Sequence, residues 1–203
     1  MTRFVLSLAF ALLLAAQPAG AGVTSLEESL ADKVLGDPKA PVTILEHSSL
    51  GCPHCAAFHK ETLPRIKAEY IDTGKAKLIF RDFPLGAPAL AASMVARCGG
   101  AGERYFGFLE LLFQTQAKWA GAPNPLKELE NIAKMGGMSP QDVQQCMANE
   151  ALMKGLQENQ KQSQIKYNVE ATPTFVVNAT RIPGAVTYDD FKKVLDAELA
   201  KIK

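Results

Sequence analysis

Cys52-Pro53-His54-Cys55 decides the reading of this chain. Two cysteines three apart, with proline directly after the first, mark the first turn of a helix. Proline is tolerated at the first helical position, where its missing N–H would lack an intrahelical partner anyway. Side chains at i and i+3 share a face, roughly 5–6 Å apart between β-carbons, close enough for a disulfide with slight adjustment. Cys52 then sits at the helix mouth, where unpaired N–H groups and the positive dipole end favour a thiolate. The thiolate is the nucleophile of thiol–disulfide exchange. Two other readings of the motif stand beside this one. Half of a zinc site is the first, although Cys98 and Cys146, the remaining cysteines, are single and form no second close pair. A purely structural disulfide is the second.

Outward from the motif, Val42-Thr43-Ile44-Leu45-Glu46 is a β-rich apolar run that reads as a buried central strand. Ser48 to Gly51 turn into the helix, which runs through Phe58 and Ile66 toward Tyr70, with Pro64 expected to kink it and Gly74 to stop it. Lys77 to Arg81 is a second strand, so strand–helix–strand implies a right-handed parallel unit. Upstream, Val23 to Lys33 is a mixed-charge lead-in and Asp37 to Pro41 a turn. From Pro84 to about Lys166 the pattern is helical. Pro88 opens one segment, Glu103 to Gln116 form a second, and Asn124-Pro125 and Ser139-Pro140 are cap-plus-proline starts for two more. Residues 151–166 make a last long polar helix. Strands return at Thr174 to Asn178 and Thr180 to Pro183, close enough for a hairpin. Thr187 and Asp190 resemble a capping box for a closing helix whose apolar face holds Tyr188, Phe191, Val194, Leu195, Leu199 and Ile202.

The N-terminus reads as a secretory leader. Met1-Thr2-Arg3 is a basic start, Phe4 to Ala16 is almost wholly apolar but short for a membrane span, and Ala19-Gly20-Ala21 fits the small-x-small cleavage rule. Cleavage after Ala21 leaves about 180 residues, the size of one domain or one domain with an insertion. Hydrophobic residues make up 47% and charged residues 21%, as in a soluble globular domain. Lys and Arg number 22 against 21 Asp and Glu, so no basic surplus drives nucleic-acid or anionic-membrane binding. Export places four cysteines where disulfides persist.

A β-α-β unit, an all-helical insertion, a hairpin and a final helix, with C-x-x-C opening the first helix, resemble the DsbA family of thioredoxin-fold proteins. The likeness extends over about residues 34–202, and its most specific pieces are Cys52-Pro53-His54-Cys55 and Ala171-Thr172-Pro173-Thr174-Phe175. The expected fold class is α/β, a thioredoxin fold with an inserted all-helical domain. Its parts are a signal peptide at 1–21, the first part of the thioredoxin fold at 22–83, the helical insertion at 84–166 and the second part of the fold at 167–203.

The resemblance implies roles residue by residue. Cys52 is the nucleophile that forms the mixed disulfide, and Cys55, one turn deeper, is its resolving partner. His54, beside Pro53 at the helix mouth, offers the Cys52 thiolate a hydrogen bond or a positive charge. Pro173 is cis in the family and lies against the disulfide, with Thr172 facing it. Glu46, six residues before Cys52, matches a buried acid that moves protons to and from the resolving cysteine; a surface acid at a strand end is the plainer reading. Cys98 and Cys146 match a second, structural disulfide of some members, with a regulatory pair or two free thiols as alternatives. His47 and His59 have no assigned role and read as surface residues or residues just behind the site, and Trp119 as packing. The sequon at Asn178 is set aside because the family is bacterial.

No cofactor is implied. The implied activity is introduction of disulfides into exported, cysteine-containing proteins of the periplasm by a monomer that a membrane partner of the DsbB type reoxidises. Two features depart from DsbA. His47 to Gly51 lack its run of phenylalanines, and Thr172 replaces the valine usual before the cis-proline, where disulfide isomerases carry threonine. An isomerase or reductase is therefore the second reading, against which stands the short stretch before the sheet, with no room for the dimerisation domain of family isomerases. A thiol-based metal- or peptide-binding module that is not an enzyme is the third.

Overall fold

The computed structural model describes residues 23–202. The expected leader at 1–21 lies outside the described residues. Among the described residues, five strands form one sheet in the order β1-β3-β2-β4-β5. At its centre is β2 (Val42–Ser48), whose inward Val42, Ile44 and Glu46 are fully buried. It pairs in parallel with β3 (Ala76–Asp82), Glu46 opposite Phe80. On its other side β4 (Thr174–Val177) runs antiparallel, with Glu46 opposite Phe175 and His47 opposite Thr174. A two-residue turn with Asn178 in the left-handed region (φ 51°) folds β4 back into β5 (Thr180–Pro183).

The stretch Val23 to Lys33 is more ordered than a lead-in. It carries a short helix, α1 (Leu26–Leu30), capped by Ser25, and Lys33 opens an edge strand, β1 (Lys33–Leu35), antiparallel to β3. Arg97 explains the order. Its buried guanidinium bonds Asp82 on β3 and donates to the carbonyls of Ser29, Ala31 and Phe80, so one side chain ties α1 and the sheet to the helix behind them. A buried guanidinium so fully hydrogen-bonded offsets its desolvation in a way a lone ion pair does not.

The helix after β2 starts as α2 (Pro53–Ala57) and passes without a break through a π-helical stretch, Phe58–Thr62, into α3 (Leu63–Ile66) and a second π-helical stretch, Lys67–Ile71. Pro64 thus sits in a short α-helical turn between two π-helical stretches. It has no N–H to offer the preceding turn, and wider turns absorb the gap, as π-bulges do elsewhere. Gly74, at φ 71°, ends the element as expected.

Six helices separate β3 from β4: α4 (Ala87–Gly99), α5 (Glu103–Gln114), α6 (Gln116–Trp119), α7 (Pro125–Met135), α8 (Pro140–Met147) and α9 (Glu150–Tyr167). Asn124 and Ser139 cap α7 and α8 through their side chains, Ser139 in a full capping box with Asp142. Trp119 is fully buried and donates its indole N–H to the Leu112 carbonyl. A disulfide joins Cys98 on α4 to Cys146 on α8, with α-carbons 5.7 Å apart. Thr187 caps α10 (Tyr188–Ala200), which seats Phe191 and Leu195 under the sheet. The whole is a thioredoxin fold with an inserted helical domain.

Candidate active site

Ser49 shapes the approach to the site. Its carbonyl accepts from the Cys52 N–H at 3.0 Å, and its hydroxyl accepts from the N–H groups of Gly51 and Leu85. The turn delivers Cys52 as the N-cap of α2, in extended conformation (φ −87°, ψ 123°), with Pro53 at the first helical position. The Cys52 sulfur therefore stands where a cap oxygen normally sits, facing the first N–H groups of the helix. Across the sheet, the peptide bond between Thr172 and Pro173 is cis, and the Cys52 thiol donates to the Thr172 carbonyl at 3.4 Å.

Both cysteines are free thiols, and their surroundings separate them. Cys52 has its pKa lowered from 9.0 to about 5. The largest cause is a hydrogen bond from the Cys55 side chain. The Thr172 hydroxyl and the backbone N–H groups of Cys55 and His54 add to it, against the opposing cost of burial. Cys55 is fully buried, and burial pushes its thiol strongly upward, with its role as donor to Cys52 adding to the shift. The hydroxyl of Ser48 and the backbone of Ser49 pull Cys55 weakly the other way. A single helical turn thus holds one sulfur ready as thiolate and the other as thiol. His54 is exposed on the first turn of the same helix.

Glu46 is fully buried, not a surface acid. One oxygen, Oε1, lies 2.8 Å from His59 Nε2, and the other has no partner among the described residues. Neither histidine is a surface residue. His59 has a side chain only 8% exposed, because its ring stacks on Phe113 at 4.1 Å and meets Phe58 and Phe80 edge-on. His47 is fully buried against Tyr167, its ring centroid 5.0 Å away. Burial holds its pKa down to about 4, with nearby Arg81 adding to the lowering against the Thr174 backbone, so it is neutral at physiological pH.

Gln116 completes the site from the helical domain. Its buried side-chain amide donates to the carbonyls of Leu50 at 2.6 Å and Cys52 at 3.0 Å. Sequence reasoning missed it, since no local pattern distinguishes a glutamine that bonds a backbone 64 residues away. His59 did carry a signal: it lies four residues after Cys55, one turn along the helical face that already points inward.

A family model described as thioredoxin matches residues 28–197. The crystal structure of alpha-DsbA1 from Wolbachia pipientis superposes with a TM-score of 0.79 at 33% identity, covering 84% of this chain and 92% of that one. The chain belongs to the DsbA branch of the thioredoxin family. Oxidised BdbD from Bacillus subtilis aligns with a TM-score of 0.75 at 26% identity, over 91% of this chain and all of that one. Disulfide bond formation protein D of the same organism is 28% identical over 175 residues, 82% of this chain and 76% of its own length. A Rickettsia typhi protein with a provisional protein-disulfide oxidoreductase name is 32% identical over 168 residues. That match takes in 83% of this DsbA-like chain and 62% of the relative, so the chain spans about three fifths of the Rickettsia protein's length.

Proposed function

We propose that this protein is an exported thiol:disulfide oxidoreductase that introduces disulfides into secreted proteins of the periplasm through Cys52 and Cys55. The observation that carries the reading is the opposed setting of the two sulfurs, with Cys52 lowered to about 5 at the helix mouth and Cys55 buried and raised. In the oxidised protein a substrate thiolate attacks the Cys52 sulfur, the Cys52–Cys55 bond breaks, and its electron pair goes to Cys55, which takes up a proton. A second substrate thiolate then attacks the substrate sulfur of the mixed disulfide, and Cys52 leaves as thiolate. A thiol of low pKa is a good leaving group, and stabilising the reduced form raises the reduction potential, by about 30 mV per 1.4 kcal/mol for two electrons.

The remaining roles follow the family pattern. Pro53 starts the helix, His54 supports the thiolate from the exposed side, and Thr172 and Pro173 form the wall that a substrate backbone meets. Glu46 exchanges the proton of Cys55. The Cys98–Cys146 bond is structural. A membrane partner of the DsbB type returns the pair to the disulfide, and the working unit is a monomer.

The deciding experiment is the redox equilibrium of Cys52–Cys55 with glutathione, with Cys98 and Cys146 followed separately by mass spectrometry. A couple well above that of thioredoxin supports the oxidase. A reducing couple moves the reading to an isomerase or reductase, which Thr172 before Pro173 favours.

A further inference from the structure

We propose that His59 is the residue through which protons enter and leave the buried Glu46, a positioning residue that serves Cys55 through that carboxyl group. The inference rests on the oxidoreductase reading above. Three observations meet at this side chain. It holds Glu46 at 2.8 Å. Its ring is fixed in orientation by the stack on Phe113 and the edges of Phe58 and Phe80. And it lines an open cleft of about 1100 Å³ between the helix after β2, strand β1 and helix α5, walled by Leu35, Leu63, Phe106 and Leu109.

Glu46 is not on the wall of that cleft. Its partners across the sheet, Phe80 on β3 and Phe175 on β4, are fully buried aromatic residues that carry no proton. His59 is the polar side chain that joins the carboxyl group to the cleft. An imidazole accepts a proton at one nitrogen and releases one from the other, so it passes protons without moving. The charged groups around the cleft are Lys60, Lys67 and Asp72 on the helix side and Glu103 and Glu110 on α5. Lys67 and Asp72 pair with each other at 2.6 Å. Tyr105 of α5 also faces Glu46, and burial keeps its phenol protonated.

The proton balance is closed. When a substrate thiolate breaks the Cys52–Cys55 bond, the buried Cys55 sulfur receives an electron pair and needs one proton. Glu46 supplies it, His59 protonates Glu46, and water in the cleft protonates His59. Reoxidation runs the same path outward.

The test is single-turnover reduction of the oxidised protein by dithiothreitol, followed by acid quenching and mass spectrometry, across pH 5 to 9. His59→Gln retains an amide that can bond Glu46 but cannot pass a proton. It is expected to slow reduction by about tenfold or more and to change the shape of the pH profile, while the glutathione equilibrium stays put. His59→Ala opens the cleft to small bases, so imidazole in the buffer is expected to restore the rate and pyrazole, similar in shape but a far weaker base, is not. An unchanged rate and profile in His59→Gln overturns the proposal, as does a potential that moves in step with the rate. If His59→Ala does not fold, the glutamine variant alone decides. Glu46→Gln in the same assay separates the two levels of argument. A slow Glu46→Gln beside a normal His59→Gln sinks only the relay, whereas a normal Glu46→Gln sinks the proton role of Glu46 itself.

Discussion

Cys52 and Cys55 share one helical turn, yet only Cys52 meets the free N–H groups at the mouth, and only Cys55 is wholly shut away from water. Titration of the reduced protein at 240 nm should therefore show one thiolate appearing with a midpoint near the value of about 5 held by Cys52, and no second step in the neutral range. Two overlapping steps near the ordinary thiol value would mean that the helix mouth does not separate the pair. Cys55→Ser should accumulate mixed disulfides through Cys52, since nothing in the protein can then resolve them. Non-reducing gels that show no adducts would mean that the assigned roles are wrong. The C-x-x-C was legible because it is a local pattern with a local consequence, whereas the cis Thr172-Pro173 bond beside Cys52, 120 residues away, was legible only through the family resemblance. The burial of His47 and His59 was not, because it depends on Tyr167 and Phe113, far along the chain, closing over their rings.

Elements with strong periodicity or explicit caps could be read directly: β2 and β3 by their apolar runs, α7 and α8 by Asn124-Pro125 and Ser139-Pro140, α10 by Thr187. Strand β1 could not, since three residues beginning with a lysine carry no alternation, and its position is set by its pairing with β3 rather than by its own propensity. The joints between elements carry two predictions. Gln116→Ala removes both bonds from α6 to the approach loop. The Cys52 carbonyl keeps the Ala56 N–H at 3.1 Å, but the Leu50 carbonyl loses the glutamine donor. A buried polar group left unpaired costs about 1–3 kcal/mol, so urea unfolding should show a lower midpoint at unchanged slope, and the Cys52 titration should move upward as the helix mouth loosens. The Cys98–Cys146 bond closes 48 residues between α4 and α8. Replacing both by alanine should cost about 3–4 kcal/mol on the chain-entropy account without moving the Cys52 midpoint. A moved midpoint would give that pair a part in the redox chemistry.

At the scale of the molecule, the thioredoxin half supplies the sulfurs and the helical domain supplies the clamp, so redox state and folding stability are linked. In the oxidised protein Cys52 has no thiolate to stabilise. In the reduced protein its pKa is about 5 when folded and about 9 when unfolded. A group whose folded pKa is depressed adds stability that is fully present above the unfolded value and is lost as pH falls through the folded one. The stability of the reduced form relative to the oxidised form should therefore rise steadily from about pH 5 to about pH 9. Above that range Cys55 opposes the trend, because burial keeps it protonated in the folded chain while the unfolded chain releases its proton. His47 acts differently: held neutral by burial down to about pH 4, it weakens both redox forms alike on acidification and cancels in the difference. Urea midpoints of the two forms measured at each pH give that difference directly. A difference that stays flat between pH 5 and 9 would show that thiolate stabilisation is not what sets the potential.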